Sequence, residues 1–291
     1  MKLLTYKSAL TGEICAGVSF DGETVFSLEA LGWPKGSSTL DLIRALGCDF
    51  DALKAPAHGG EAIGDVELLS PIPQPANNVI CIGLNYLAHR AESDNAGVIQ
   101  HSGERLEAVY FTKNVNEATA PGDFIDGHFN ICDSLDYESE LAVIIGKDAY
   151  HVSKEEAGEY IFGFSVANDV TARSLQKGRT QWFFGKSLDS FFPMGPWIVT
   201  ADELGTAPAL PIRSYVNGEL RQNGNTGDLI HSVAEIIEDL SQGITLRAGT
   251  ILATGTPAGV GMGFKPPKYL KSGDVVRCEI EGIGVLENTV K

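Results

Sequence analysis

Two glutamates one residue apart, Glu138 and Glu140, open the segment DYESELAVIIGK at residues 136–147. The run that follows, Leu141 to Ile145, is aliphatic and β-branched and stops at Gly146-Lys147, the pattern of a strand covered on both faces. Residues i and i+2 of a strand project to one side, so the two carboxylates stand together beside Ala142, while Tyr137 and Ser139 face the other way. Like charges held that close cost free energy unless water or a cation screens them, and burial raises the cost. A strand that begins in solvent meets the condition with water. A divalent metal site meets it with a cation and requires a third oxygen ligand. Asp169, at the end of FSVAND, is the candidate: strand ends let side chains converge on a cleft, and three carboxylates with no nearby His or Cys suit a hard cation such as Mg²⁺ or Mn²⁺. An Asp ahead of a helical turn also serves as an N-cap, so spacing alone does not bring Asp169 to the two glutamates.

The elements that must position these groups are read from punctuation and periodicity. Residues 1–70 read as a small α+β unit: LLTYK and EICAGVSF-DG-ETVFSLEAL as strands with Asp21-Gly22 as a hairpin turn, and SSTLDLIRALG as a capped helix stopped by Gly47. PIPQPANN, residues 71–78, forms a linker, and residues 79–291 read as one larger unit of many short strands and few helices. Within it Ser153 to Glu156 is a capping box opening a short helix, and VTARSLQKG is one or two helical turns. SVAEIIEDLSQG is a helix with Val233, Ile236, Ile237 and Leu240 on one face. The C-terminus alternates strands with glycine turns. Strands neither alternate regularly with helices nor pair only as hairpins, which makes the fold class α+β with mixed sheets.

Composition narrows the partners. The chain has 291 residues, 43% aliphatic and aromatic and 21% charged, as expected of a globular protein with no membrane partner. Its 22 basic and 38 acidic residues give a net charge of −16, which argues against nucleic acid or an anionic membrane. Five scattered cysteines without a C-x-x-C pair read as reduced thiols in a cytoplasmic protein. The loop GTPAGVGMGFK lacks the Gly-Lys-Ser/Thr ending of a P-loop and the βαβ setting of a dinucleotide fingerprint, though its glycine amides could cradle a carboxylate.

YESELAVIIGK, FSVANDVTARSLQ, QWFFGKSLDSFFPMGPWIVT, ATGTPAGVG, VNGELRQ and CIGLNYLAHRAE together resemble the fumarylacetoacetate hydrolase family, in its order and over most of residues 79–291. The resemblance implies that family's mixed β-sheet roll and one Mg²⁺ or Mn²⁺ per subunit held by Glu138, Glu140 and Asp169. It places Lys186 beside the bound substrate, Arg173 and Gln176 on the pocket wall, and Gly255 and Thr256 in the loop receiving the substrate carboxylate. His89 and Glu92 match the pair that activates water in the hydrolytic branch. A homodimer formed through the large unit is implied as well.

Local chemistry agrees with parts of this assignment. His89 and Glu92 are i and i+3, so one helical turn puts them on one face, where the carboxylate can orient the imidazole. An exposed surface turn would carry the same spacing. Aromatic neighbours Trp182, Phe183, Phe184, Phe191 and Phe192 argue for a buried Lys186 rather than a solvated loop lysine. Residues 88–107 read as a loop that orders over bound ligand. Two departures from the family pattern, the longer polar stretch around GVIQHSGERLEA and FTKNVNEA in place of F-x-K-P-x-S, fall on this lid and the pocket wall. The expected reaction is hydrolytic C–C cleavage of an acylpyruvate or other 2,4-dioxo acid through a pyruvate enolate stabilised by the metal and Lys186. Decarboxylation or tautomerisation of oxaloacetate and isomerisation of a 2-hydroxy-dienoate pass through the same intermediate. A non-catalytic metal- or ligand-binding protein is the alternative of another class.

Overall fold

Alternation along the aliphatic run after the paired glutamates is what layers the molecule: Leu141, Val143 and Ile145 face one apolar core, and Ala142 and Ile144 face the other. The computed structural model describes residues 1–95 and 107–291. In chain order its strands begin with β1 (Lys2–Lys7), β2 (Ile14–Ser19), β3 (Thr24–Ser27), β4 (Glu61–Ala62), β5 (Glu67–Leu69), β6 (Val79–Gly83) and β7 (Val109–Lys113). There follow β8 (Phe124–Ile125), β9 (Leu135–Asp136), β10 (Ser139–Ile145), β11 (Ile161–Asn168), β12 (Thr171–Ala172) and β13 (Met194–Thr200). The last are β14 (Pro211–Val216), β15 (Glu219–Asn225), β16 (Ile251–Ala253), β17 (Val275–Ile280) and β18 (Gly284–Val290). The helices are α1 (Thr39–Leu46), α2 (Leu87–Asn95), α3 (Arg173–Lys177), α4 (Phe183–Lys186), α5 (Ala201–Leu204) and α6 (Val233–Ser241).

One large sheet runs β4-β3-β2-β1-β13-β11-β10-β16-β6-β7, with β5 added beside β1, and a five-stranded sheet runs β15-β14-β17-β18-β8. Both mix parallel and antiparallel pairs: β16 lies parallel to β6 and β18 parallel to β8. The fold is therefore α+β with mixed sheets, as the element pattern indicates. The five-stranded sheet and α6 close one face of the large sheet through Ile212, Val276, Ile280, Ile236 and Ile237. Helix α1 closes the other through Leu42 and Ile43. Every residue of β10 and β11 is buried, which explains why both strands read as continuous apolar runs rather than alternating ones.

The strands of residues 1–70 continue this same sheet, since Lys2 and Leu3 of β1 register with Val199 and Ile198 of β13. Pro71, in the proline-rich segment, is tied back by hydrogen bonds to its carbonyl from Thr5 Oγ1 at 3.0 Å and Thr39 Oγ1 at 2.5 Å. Asp21-Gly22 turns β2 into β3, with Asp21 Oδ1 accepting from the amides of Glu23 and Thr24 and Gly22 at φ +82°. Ser38 and Asp41 form the cap of α1, and Ser232 and Glu235 that of α6.

Two expectations are corrected. Glu156 Oε2 accepts from Ser153 N at 3.2 Å, as in a capping box, and from Ser153 Oγ at 2.7 Å, but Glu156 N donates to the Ser153 carbonyl and the pair leads into a 3₁₀ turn, Ala157–Tyr160. Strand β11 starts at Ile161, so the chain has no room for a longer helix there. Residues 88–95, read as loop, belong to helix α2, while the rest of that stretch through 106 lies outside the described residues. Among the described residues no helix is long and apolar enough to cross a membrane.

Candidate active site

Antiparallel pairing of β10 with β11 sets Ser139 opposite Asn168 and Glu140 opposite Ala167, which brings Glu138 and Asp169 together at one end of the pair. Two backbone links fix that end: Asp169 N donates to Glu138 O at 2.9 Å, and Glu138 N donates to Asn168 Oδ1 at 3.0 Å. Carboxylate oxygens of Glu138, Glu140 and Asp169 all lie within 4.8 Å of one another, and all three residues are buried. The trio drawn from the sequence is thus assembled in space.

Lys186, at the end of α4, donates to Glu138 Oε2 at 2.7 Å and Asp169 Oδ2 at 2.6 Å. Its burial is as expected, but Phe183 and Phe184 are themselves 46% and 40% exposed. Nζ instead lies 5.1 Å from the centre of the Phe111 ring, which packs edge-on against Trp182. Arg173, at the start of α3, binds Glu138 Oε1, Asp136 Oδ2 at 2.9 Å and Gln176 Oε1 at 3.1 Å. Glu140 accepts only from Gly255 N, at 2.9 Å, among the described residues. Thr256 Oγ1 donates to Ser139 O at 2.8 Å and accepts from Gln222 Nε2 at 2.6 Å.

His89 and Glu92 share one face of α2, with His89 Nδ1 3.1 Å from Glu92 Oε2. Glu92 in turn accepts from Gly259 N at 3.2 Å. Helix α2 reaches that loop only because residue 263 is glycine: a Cβ there would fall 1.7 Å from Glu92 Oε1. His89, Glu138, Glu140, Arg173, Gln176, Lys186, Gly255 and Thr256 all line one cavity of about 20 Å³, roomy enough for about one water.

Two participants escaped the sequence reading. Lys113, the last residue of β7, is buried with its ammonium on Asp169 Oδ1 and, at 3.0 Å, on Val170 O. Asp136 accepts from Arg173 and from the amides of Gly261 and Met262 at 2.6 and 3.0 Å, tying the glycine loop to the site. Extending the i, i+2 argument one step back from Glu138 reaches Asp136, and a lysine ending an otherwise apolar strand was the available signal for Lys113.

The electrostatics of the cluster are unbalanced. Asp136, Glu138, Glu140 and Asp169 face Lys113, Lys186 and Arg173, all buried, four carboxylates against three cationic side chains. Burial favours a neutral Glu138, but the charges of Lys186 and Arg173 overcome it and hold this carboxyl well below the usual range. For Glu140 burial, reinforced by the charges of Asp169 and Glu138, outweighs the charge of Lys186 and pushes it well above that range. Burial opposes the charge on Lys186 too, yet Asp169 and Glu138 prevail and raise its proton affinity. For Lys113 burial prevails over Asp169 and lowers it. Three convergent oxygens, one of them on a carboxylate that no cationic side chain among the described residues binds, fit a hard divalent cation.

Residues 78–291 match the family described as Fumarylacetoacetate (FAA) hydrolase C-terminal. The chain belongs to the fumarylacetoacetate hydrolase family. It is 46% identical over 230 residues to oxaloacetate tautomerase YisK of Bacillus subtilis, covering 79% of this chain and 74% of that protein. The fumarylacetoacetate hydrolase of the psychrophile Exiguobacterium antarcticum superposes with a TM-score of 0.85 at 41% identity, covering 100% and 99% of the two chains. The maleylpyruvate hydrolase of Sphingobium sp. SYK-6, solved with manganese(II) and pyruvate, gives 0.74 at 29% identity and coverage of 100% and 98%. Fumarylacetoacetate hydrolase family members are metal-dependent enzymes, spanning hydrolysis, isomerisation and tautomerisation, and this chain is one of them.

Proposed function

We propose that the protein enolises a short 2-oxo diacid, with keto–enol interconversion of oxaloacetate as its reaction. The observation that carries this reading is the position of Lys186, a buried ammonium bridging two of three convergent carboxylates and lining the same small cavity as His89. Likeness to the tautomerase of Bacillus subtilis supports the choice of substrate.

Glu138, Glu140 and Asp169 would hold Mg²⁺ or Mn²⁺, which when bound supplies positive charge that polarises a 2-oxo group. Glu92, anchored by Gly259 N, accepts from His89 Nδ1–H, which fixes the tautomer and leaves Nε2 as the base. Nε2 removes a proton from carbon 3, the electron pair moves onto the 2-oxo oxygen, and Lys186 supplies counter-charge to the enolate. Return of a proton to the oxygen completes the enol, with no net gain or loss of atoms. Trp182, Phe111, Leu84 and Met262 wall off the cavity and keep bulk water from the enolate. Arg173 and Gln176 line the same pocket, and the Gly255–Thr256 loop is suited to the substrate carboxylate.

Hydrolysis of an acylpyruvate is the second reading, favoured by the same His89–Glu92 pair. There Nε2 would take a proton from water, hydroxide would add to the distal carbonyl, and C–C cleavage would give a carboxylic acid and pyruvate enolate, protonated at carbon. Oxaloacetate decarboxylation would release the same pyruvate enolate together with CO₂, and dienoate isomerisation would pass through a dienolate of the whole substrate. The five free thiols fit a cytoplasmic setting. Exposed Phe124, Phe129 and Ile131 support a homodimer, testable by light scattering coupled to size exclusion.

NMR of the protein with oxaloacetate and, separately, acetylpyruvate tests the reading, with Mg²⁺ or Mn²⁺ present and then chelated. Accelerated enol–keto exchange of oxaloacetate, lost on chelation, is expected. Acetate and pyruvate from acetylpyruvate would transfer the conclusion to hydrolysis, and inactivity on both would sink it.

A further inference from the structure

Ser93 sits one turn beyond His89 on α2, at i+4, so both side chains leave the helix on one face. Both line the cavity that Glu138, Lys186 and Trp182 also line. Ser93 is 0% exposed, and among the described residues its hydroxyl has no hydrogen-bond partner. A helical serine often satisfies itself on the carbonyl four residues back, here that of His89, but Ser93 does not. Among the described residues the other buried side-chain atoms without a partner belong to Tyr86, Ser139, Ser214 and Arg221, and none of these residues lines the cavity. A dry, unpaired hydroxyl is costly, so its persistence at this wall points to a ligand atom that completes it.

The identity of that atom follows from the layout of the pocket and rests on the function proposed above. The carboxylate and 2-oxo end of the substrate belongs with the carboxylate trio, Lys186 and the Gly255–Thr256 loop. Its far end then meets α2 and the apolar walls of Trp182, Phe111 and Met262. On that wall Ser93 offers an unpaired hydrogen-bonding group beside His89. We propose that Ser93 Oγ donates a hydrogen bond to the distal oxygen of the substrate, a carboxylate or carbonyl oxygen beyond carbon 3, and so selects 2-oxo acids with a polar far end over those ending in a methyl group.

Titration calorimetry with Mg²⁺ present, comparing oxaloacetate with pyruvate, tests this in the wild type, Ser93→Ala and Ser93→Thr. The wild type should prefer oxaloacetate, and Ser93→Ala should reduce that preference about 5- to 50-fold. Ser93→Thr, which keeps the hydroxyl, should retain part of it. In kinetics Ser93→Ala should raise KM for oxaloacetate more than it lowers kcat. The ligand-free Tm of Ser93→Ala should equal or exceed that of the wild type, because no bond is lost, whereas a structural serine would lower it. An unchanged preference in Ser93→Ala, or no preference in the wild type, would overturn the assignment. Loss of preference without metal-dependent turnover in the wild type would leave Ser93 in place and remove the proposed reaction instead.

Discussion

Glu138, Glu140 and Asp169 stand at strands with a hydrogen-bonded neighbour on either edge and an apolar core on either face, whereas His89, Glu92 and Ser93 stand on one nine-residue helix. The floor of the site is cross-linked by ion pairs from Lys113, Lys186 and Arg173. The wall hangs on the Glu92–Gly259 contact and on Asn85, just before α2. Asn85 exchanges bonds with His231 at 3.0 and 2.8 Å and donates to Thr254 O at 2.9 Å. Groups that hold charge in place are thus set among paired strands and ion pairs, and groups proposed to touch the far end of the substrate are set on a single helix, where adjustment is cheaper.

The sharpest way to break this contrast is to strip the floor of a counter-ion. Asp169→Asn leaves two buried ammonium groups without their shared carboxylate and should cost about 3–5 kcal/mol, read as a lowered Tm, together with loss of metal-dependent turnover. Glu140→Gln is the informative control. Among the described residues no cationic side chain binds Glu140, so its amide isostere should leave the Tm of metal-free protein equal or higher while abolishing Mg²⁺ or Mn²⁺ binding by calorimetry. A large stability loss for Glu140→Gln would mean that the trio is structural. On the wall, His89→Ala should lower kcat about 10²- to 10⁴-fold with metal affinity retained. Unchanged turnover would remove His89 from the chemistry.

The same contrast explains what could be read from residues alone. Period two in a strand places Glu138 and Glu140 on one side, and the cost of a like-charge pair marks the position, though water or a cation would each meet it. Lys113 is hard to find from sequence because its ion-pair partner is remote: Asp169 lies 56 positions away. Helix α2 was read as loop because LAHRAESDN has no apolar stripe, and Leu87 is in fact mostly exposed. Its helicity is set by what it docks against, a tertiary term that local composition does not carry. The aromatic neighbours of Lys186 indicate burial correctly, but the ring nearest the ammonium is Phe111, remote in sequence and packed on Trp182, while Phe183 and Phe184 are exposed.

Gly263→Ala tests the docking of the wall directly. Its Cβ would overlap the Glu92 carboxylate, so α2 must shift, and misplacement of the pair by about 1 Å should cost about 10²-fold in kcat with metal affinity unchanged. Equal losses of turnover and metal binding would show that floor and wall are not separable.

The smallest effect belongs to the cap of α6, which begins one residue after His231 and therefore adjoins the root of the wall. Ser232 Oγ accepts from Glu235 N, and Glu235 is held down at about 2, first by Lys154 and then by the Ser232 amide and hydroxyl. Ser232→Ala should cost about 1 kcal/mol in urea unfolding. A carboxyl depressed in the folded state from an ordinary 4.5 contributes stability above that value and loses it as pH falls toward 2. Because Glu235 is partly exposed, solvent screens its share of this acid limb, which should shrink slightly in Ser232→Ala. If Asn85 transmits the cap to α2, the variant should lose a little kcat while binding metal as the wild type does. A matching change in metal affinity would place the cap in communication with the floor, through the shared core of Ile236, Ile237, Leu141 and Val143, rather than with the wall.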